Sequence, residues 1–303
     1  MSAASYIAVI LIWSTTPLAI KVSSKTLSPI AAVSLRMALA LVCALVIMAL
    51  LRRHSFWSKE HVKNYFAASL GIFPNMPLVY WSSQYISSGL IAVIFALSPF
   101  FMALFAYFLL GEKVLTIRKC LALCLALGGL IIISIDQLAQ DDATIYGIGL
   151  MILSNIVYSI SSIWVKKLNH QRNIDALDQT IGALAFSLPG LLIAWFVYDG
   201  MSLPSLDATT ISAIVYLAVL GSLVGFAAFY YILQHLKVAT VALIPMITPA
   251  LALWFGSLLD DELITTNIII GSMMIILGLI LYEGMLKPRI IGKILPKKKS
   301  AID

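Results

Sequence analysis

The sequence predicts an all-α polytopic membrane protein with ten transmembrane helices, arranged as two inverted five-helix repeats. Three observations predict it: composition, ten separate apolar runs, and self-similarity at a fixed offset. Of 303 residues, 61% are apolar and 11% charged, and mean hydropathy is +1.00. A soluble domain carries roughly 45–50% apolar and about 25% charged residues. A chain this apolar could neither bury its side chains nor cover its exterior in water. Soluble enzymes, nucleic-acid modules and disordered chains are therefore excluded. The net charge of +6 reads as membrane orientation, because the charges fall between apolar runs.

A membrane helix needs ~20 mainly apolar residues. The runs that qualify are 5–22, 29–51, 63–83, 87–110, 117–135, 145–166, 178–198, 209–234, 238–259 and 263–284. Short connections make neighbours antiparallel and leave no segment for a soluble domain. The first run has no basic leader and passes directly into the second, so it reads as a span and not as a cleaved signal. With the N-terminus inside, 17 of the 20 lysines and arginines are cytoplasmic, Lys21 and Lys25 are outside, and Arg36 lies within a span. The positive-inside rule then places both termini in the cytoplasm.

Shifting the chain by 150 residues superposes Gly71 on Gly221, Tyr80 on Tyr230, Gln84 on Gln234, Pro99 on Pro249, Glu112 on Glu262 and Gly128 on Gly278. Matches of Leu or Ala would mean little in this composition, whereas Pro, Gln, Glu and Tyr are informative. Trp13 and Trp164 align only at a shift of 151. The predicted units are residues 1–136, residues 145–286 and a basic cytoplasmic tail, 287–303, able to meet anionic lipid. Five helices per half is an odd number, so the second half enters from the opposite side. An inverted repeat is the architecture of secondary transporters, with binding at the repeat interface near mid-membrane.

Polar groups and helix breakers inside the spans mark the candidate cavity. In span 1, Trp13, Ser14, Thr16 and Pro17 predict a break. In span 3, Gly71 through Pro77 holds Pro74 and Pro77, two prolines that make a regular helix improbable, and span 8 carries Gly221 through Gly225 in the corresponding place. Asn75 could bond a solute or a freed carbonyl, and Tyr80, Trp81, Tyr230 and Tyr231 could form a stacking wall or an interfacial belt. In spans 4 and 9, Ser98-Pro99 and Thr248-Pro249 free carbonyls that need a partner or a wet cavity. In span 6, Asn155 and Tyr158 are polar at mid-membrane. Arg36 costs ~2.5–3.5 kcal/mol to insert at a helix centre on translocon scales. It could snorkel, pair with an outer acid, gate the outer mouth or bind an anion. Glu112 and Glu262 each end a span where a carboxylate opposes the helix dipole. Pairing with a lysine, capping the next helix and gate contact are all open for them.

Cys43, Cys120 and Cys124 lie in apolar runs and read as small packing residues. No zinc spacing, metal cluster or cofactor motif is present. The histidines fall in predicted cytoplasmic loops, and no mid-span acid is evident, so proton coupling has no candidate group.

These residues resemble the drug/metabolite transporter superfamily, in its EamA-type group of ten-helix permeases. The resemblance rests on Trp13-Ser14, on Leu35-Arg36 followed by small residues, on Pro99 through Gly111-Glu112 and on Pro249 through Glu262. Asp261-Glu262 departs from the family's Gly-Glu. The resemblance implies a bacterial inner-membrane permease with a central cavity from helices 1, 3, 4, 6, 8 and 9, exporting amino acids, related metabolites or drugs. The expected function is secondary transport, without ATP, of small neutral or zwitterionic metabolites, with export the expected direction. The alternative is a carrier or exchanger of an anionic metabolite or nucleotide-linked compound using Arg36. An intramembrane enzyme would need paired aspartates, a Ser/His pair or a metal within the spans, and none is apparent. The expected partners are a small-molecule substrate and membrane lipid, with no nucleic acid and a monomer as a workable state.

Overall fold

The computed structural model describes residues 2–52, 59–111, 117–138, 143–171, 174–236, 241, 244–259 and 264–283. Glu112, Glu262 and the basic tail fall outside these residues. Those described form helices and turns, with no strand among them. Among the described residues, six helical segments are long and apolar enough to cross a membrane: Ala3–Ser23, Pro29–Leu50, Ser88–Leu109, Thr144–Asn169, Ala176–Asp199 and Ala208–His235.

Helix α1 (Ser2–Ser23) is continuous through Pro17, which corrects the break expected at Trp13–Pro17. Pro17 has no N–H for the Trp13 carbonyl, a loss that membrane helices tolerate when neighbouring groups compensate. The hydroxyls nearby are spent on the preceding turn: Ser14 donates to the Ile10 carbonyl at 2.6 Å and Thr16 to that of Ile12 at 2.8 Å. Helix α2 (Pro29–Leu50) opens with Ser28, whose side chain accepts the Ala31 N–H, and with Pro29 in the first turn. Both are favoured starts.

Helices α3 (Val62–Ser69) and α4 (Asn75–Ser82) share one apolar run, parted by a turn over 70–74. Helices α5 (Ser88–Phe95) and α6 (Ser98–Leu110) share the next. Pro99 stands in the first turn of α6, and Pro99 has no N–H for the Phe95 carbonyl. Gly111, at φ 71°, ends α6 in the left-handed region that glycine adopts without strain. Helices α7 (Ile117–Leu138), α8 (Thr144–Gln171) and α9 (Ala176–Asp199) follow. Helix α10 (Ala208–Tyr216) widens into a π-helical stretch, Leu217–Val224, and continues as α11 (Gly225–His235). Helix α12 (Ile244–Leu259) contains Pro249, and α13 (Thr266–Glu283) closes the described chain.

Packing depends on small residues, because lipid gives no hydrophobic force between helices. Helices α7 and α13 make the most extensive contact. A Cβ on Gly129 would strike the Gly271 carbonyl oxygen, and one on Gly271 the Gly129 carbonyl oxygen. Gly278 also packs closely, a Cβ there lying 2.7 Å from the Ala122 carbonyl oxygen. Helix α2 packs on α9, and α5 on α12.

At one end of the bundle, cations meet helix C-termini, where the dipole favours them. Lys166 donates to the carbonyls of Leu233 and Leu236 at 2.5 and 3.0 Å, and Lys167 to that of Leu109 at 2.8 Å. At the same end an amide ladder ties four helices together. Asn64 donates to Asn169 at 2.7 Å, Asn169 to Gln179 at 2.9 Å, and Gln234 to the Ile174 carbonyl at 3.0 Å. The other end is joined by Thr26 to Thr210 at 2.9 Å, and by Ser28, which donates to Asp199.

Candidate functional site

A central cavity of about 80 Å³ lies among α1, α2, α4, α5, α8, α11 and α12, the turn at 70–74 and the π-helical stretch. One wall is aromatic. Trp13, Phe95, Tyr158 and Phe229 converge from four helices, with ring centroids 4.8 Å apart for Phe95–Tyr158, 5.1 Å for Trp13–Phe229 and 6.2 Å for Trp13–Tyr158. These are edge-to-face or tilted arrangements, the geometry aromatic quadrupoles prefer. Hydroxyls of Thr16, Ser161, Ser162 and Thr248 also line the space. Ser161 is already committed to the Ala67 carbonyl at 2.7 Å.

Arg36 is the single charged group among the described lining residues. It is 1% exposed. Its Nε donates to Ser222 Oγ at 2.8 Å and its Nη1 to the Tyr80 hydroxyl at 3.4 Å, with Cζ 6.0 Å from the Tyr80 ring centroid. Gly221 makes room for it, since a Cβ there would lie 3.2 Å from Nη2. No carboxylate among the described residues bonds the guanidinium.

Of the residues singled out in the sequence, Trp13, Thr16, Pro17, Arg36, Gly71, Tyr158, Gly221, Tyr230 and Thr248 line this cavity. Ser14 is buried on the Ile10 carbonyl. Tyr80 is one layer behind, beneath Arg36. Asn75 mends the broken span: it donates to the Gly71 carbonyl at 2.8 Å and accepts from Ser154 at 2.6 Å. Asn155 donates to the Ile94 carbonyl at 2.8 Å beside the α5–α6 break, while its Oδ1 and the hydroxyl of Ser98 have no partner among the described residues. Pro99 and Pro249 are buried in their helices. Trp81 lies edge-on to Tyr198 at 5.6 Å, and Tyr231 stacks on His235 at 4.2 Å, both away from the cavity.

Sequence reasoning passed over Phe95, Phe229 and Ser222. The 150-residue register carried a signal for one of them: Gly71 and Gly221, Met76 and Phe226, and Val79 and Phe229 are offset by that interval, and all six line the cavity.

A central cavity in an all-helical, strongly apolar chain fits a transporter, and comparison with known proteins decides the family. The model of the EamA-like transporter family matches residues 2–135 and again residues 145–283. The chain belongs to the EamA-like transporter family. This EamA-like protein is 25% identical over 274 residues to the uncharacterized transporter YoaV of Bacillus subtilis (strain 168), covering 90% of this chain and 93% of that one. It is 28% identical to an uncharacterized transporter of Archaeoglobus fulgidus, over 88% and 93% of the two chains. It is 24% identical to a probable amino-acid metabolite efflux pump of Escherichia coli (strain K12), over 63% and 66%. A crystal structure superposes with a TM-score of 0.66 at 16% identity, over 92% of this chain and 95% of the other, and shows a shared fold.

Proposed function

We propose that this member of the drug/metabolite transporter superfamily is a secondary carrier of small neutral or zwitterionic metabolites, working in the direction of export. The observation that carries the reading is the central cavity, walled by aromatic and hydroxyl groups from both halves of the chain. A similar protein bears the name of a probable amino-acid metabolite efflux pump.

Ten spans in two inverted repeats, residues 1–136 and 145–286, account for the family model matching twice. They also account for the packing of α2 on α9 and of α7 on α13, because each of these pairs joins helices that the repeat makes equivalent. Both termini face the cytoplasm of a bacterial inner membrane on the positive-inside rule. The amide ladder of Asn64, Asn169, Gln179 and Gln234 then closes the cytoplasmic end. Gln84, the repeat partner of Gln234, is exposed at the opposite end. Exchange of these two environments is the alternating-access step.

Counterflow in proteoliposomes tests the reading, with labelled aromatic, neutral and charged amino acids run with and without a pH gradient. Saturable exchange of one neutral class, weakened by Tyr158→Ala, is the expected result. Non-saturating flux, or none for any class, removes it. A second reading, a carrier of anionic or nucleotide-linked compounds, draws on the buried Arg36 at the cavity wall.

A further inference from the structure

We propose that Arg36 is the anchor for a substrate carboxylate, so that the cavity selects solutes carrying one carboxyl group beside an apolar body. This rests on the carrier reading and narrows its substrate class.

A guanidinium has five N–H donors in a fixed fork. Within the protein, Ser222 takes the one on Nε and Tyr80 takes one on Nη1. Three donors remain, two of them on Nη2, which lies over Gly221 at the cavity wall. Fully buried charges in proteins are paired, yet no carboxylate among the described residues reaches this one. The missing anion is therefore supplied from the cavity. A carboxylate suits the free edge of the fork, which binds such groups through two parallel hydrogen bonds.

Charge narrows the choice. Arg36 is the one cation among the described lining residues, so a single negative charge leaves the loaded site neutral. A phosphate ester or nucleotide would bring further negative charge without a lysine or arginine among those residues to meet it. A cationic solute would face the guanidinium directly. The rest of the wall, Trp13, Ile91, Phe95, Tyr158 and Phe229, suits an apolar body. The carboxylate can belong to a simple acid or to a zwitterion whose ammonium meets Thr16, Ser162 or Thr248.

The repeat makes the assignment sharper. Position 36 has Phe186 as its counterpart at the 150-residue offset, packed at 6.0 Å against Tyr65. The charge is an addition to one half and not part of the shared framework.

The test uses the full chain purified in detergent and three near-isosteric probes: isocaproate, isocaproamide and L-leucine. Thermal denaturation is followed as each probe is titrated into wild type, Arg36→Gln and Arg36→Lys. Isocaproate or leucine is expected to stabilise wild type saturably, with isocaproamide binding at least about tenfold more weakly, the value of one charge-assisted bond. Whichever of the two acids stabilises more tells the simple acid from the zwitterion. Arg36→Gln is expected to lose the acid-over-amide preference while melting no lower than wild type without probe, because an unpaired buried charge has gone. Arg36→Lys is expected to keep the preference at reduced affinity. Equal binding of acid and amide to wild type, or a preference surviving in Arg36→Gln, overturns the assignment, as does failure of both acids to stabilise wild type. Counterflow of the same probes separates the two readings. Saturable flux indifferent to the carboxyl group sinks the anchor and leaves the carrier, whereas no saturable flux sinks the carrier.

Discussion

Spans 3 and 8 occupy equivalent places in the two halves and solve the same problem with different backbones. Each must place a glycine, and the side chains five and eight residues after it, on the cavity wall. In span 3, Pro74 and Pro77 follow Gly71, and the helix opens into a turn over 70–74. In span 8 no proline follows Gly221, and the chain stays helical but widens to a π-helical stretch over Leu217–Val224. Widened segments of this kind recur at functional sites. The wall is thus conserved in register while the means of building it differ. The lone charge attends only one version: Arg36 is seated on Ser222 and Gly221 of span 8. The family model matches both halves, and the buried guanidinium rests against the π-helical stretch.

The divergence can be broken most strongly at Asn75. Its amide supplies a donor to the Gly71 carbonyl at 2.8 Å and holds Ser154 at 2.6 Å. The corresponding residue of span 8 is Gly225, which has no amide to contribute. Asn75→Ala leaves a buried carbonyl short of a donor and removes one interhelical bond. Interhelical bonds in membranes average about 0.6 kcal/mol, and an orphaned buried group costs about 1–3 kcal/mol, so a loss of about 2 kcal/mol is expected. Unfolding in mixed micelles with rising SDS, read by circular dichroism, measures it. A loss below the error of that titration would mean that the broken span holds itself together without the amide.

Gly71 and Gly221 sharpen the comparison, since alanine should act differently at the two. A Cβ at Gly71 would lie 3.0 Å from Ser161 Oγ and 3.3 Å from the Ala68 carbonyl. Ser161 is fixed on Ala67 and a carbonyl cannot swing away, so Gly71→Ala should cost about 1 kcal/mol of stability with solute affinity little changed. At Gly221 the tight neighbour is the end of the Arg36 side chain, which can move. Alanine also gains up to about 1 kcal/mol of helix propensity over glycine. Gly221→Ala should therefore leave stability level or higher while solute affinity falls about fivefold as the guanidinium shifts, a cost near 1 kcal/mol. Paired unfolding and binding titrations decide, and the same response at both positions would remove the distinction.

Much of this was legible before any coordinates, for identifiable reasons. Helix positions follow from apolar runs alone, and the structure adds the caps Ser28 and Asp175 at two of their starts. The proline pair exposed the break in span 3. The side facing the cavity was harder to see, because in lipid an apolar residue suits either side of a helix. Phe229 lines the cavity and Tyr231, two residues on, does not. At 3.6 residues per turn that is more than half a turn of rotation, and hydrophobicity carries no trace of it. The partners of Arg36 were out of reach for another reason. Ser222 is 186 residues away, and a contact across the repeat interface leaves no local pattern. Nothing in the sequence marks α1 as continuous through Pro17, because a proline inside a membrane span can be tolerated by its neighbours as well as break the helix.

The smallest expected effect lies where the two spans begin. Helix α3 starts at His61 with no side-chain cap, whereas α10 starts at Asp207, whose carboxylate accepts the Thr210 N–H at 3.1 Å. The side chain and backbone N–H of Thr210 hold the Asp207 carboxyl below the usual carboxylate range. A carboxyl lowered on folding adds stability above its unfolded pKa, about 3.9 for aspartate, and loses it as pH falls through the lower folded value. Asp207→Ser keeps a neutral cap that does not titrate. Wild type should therefore melt slightly higher than this variant near neutral pH, and the gap should close as pH drops below the aspartate range. His61→Ser in span 3 has no cap bond to lose and should leave the acid limb of the melting curve unchanged. Melting curves across that range check both. A gap for Asp207→Ser that is constant with pH would place the benefit in cap geometry alone, and the charge at the start of span 8 would then not distinguish it from span 3.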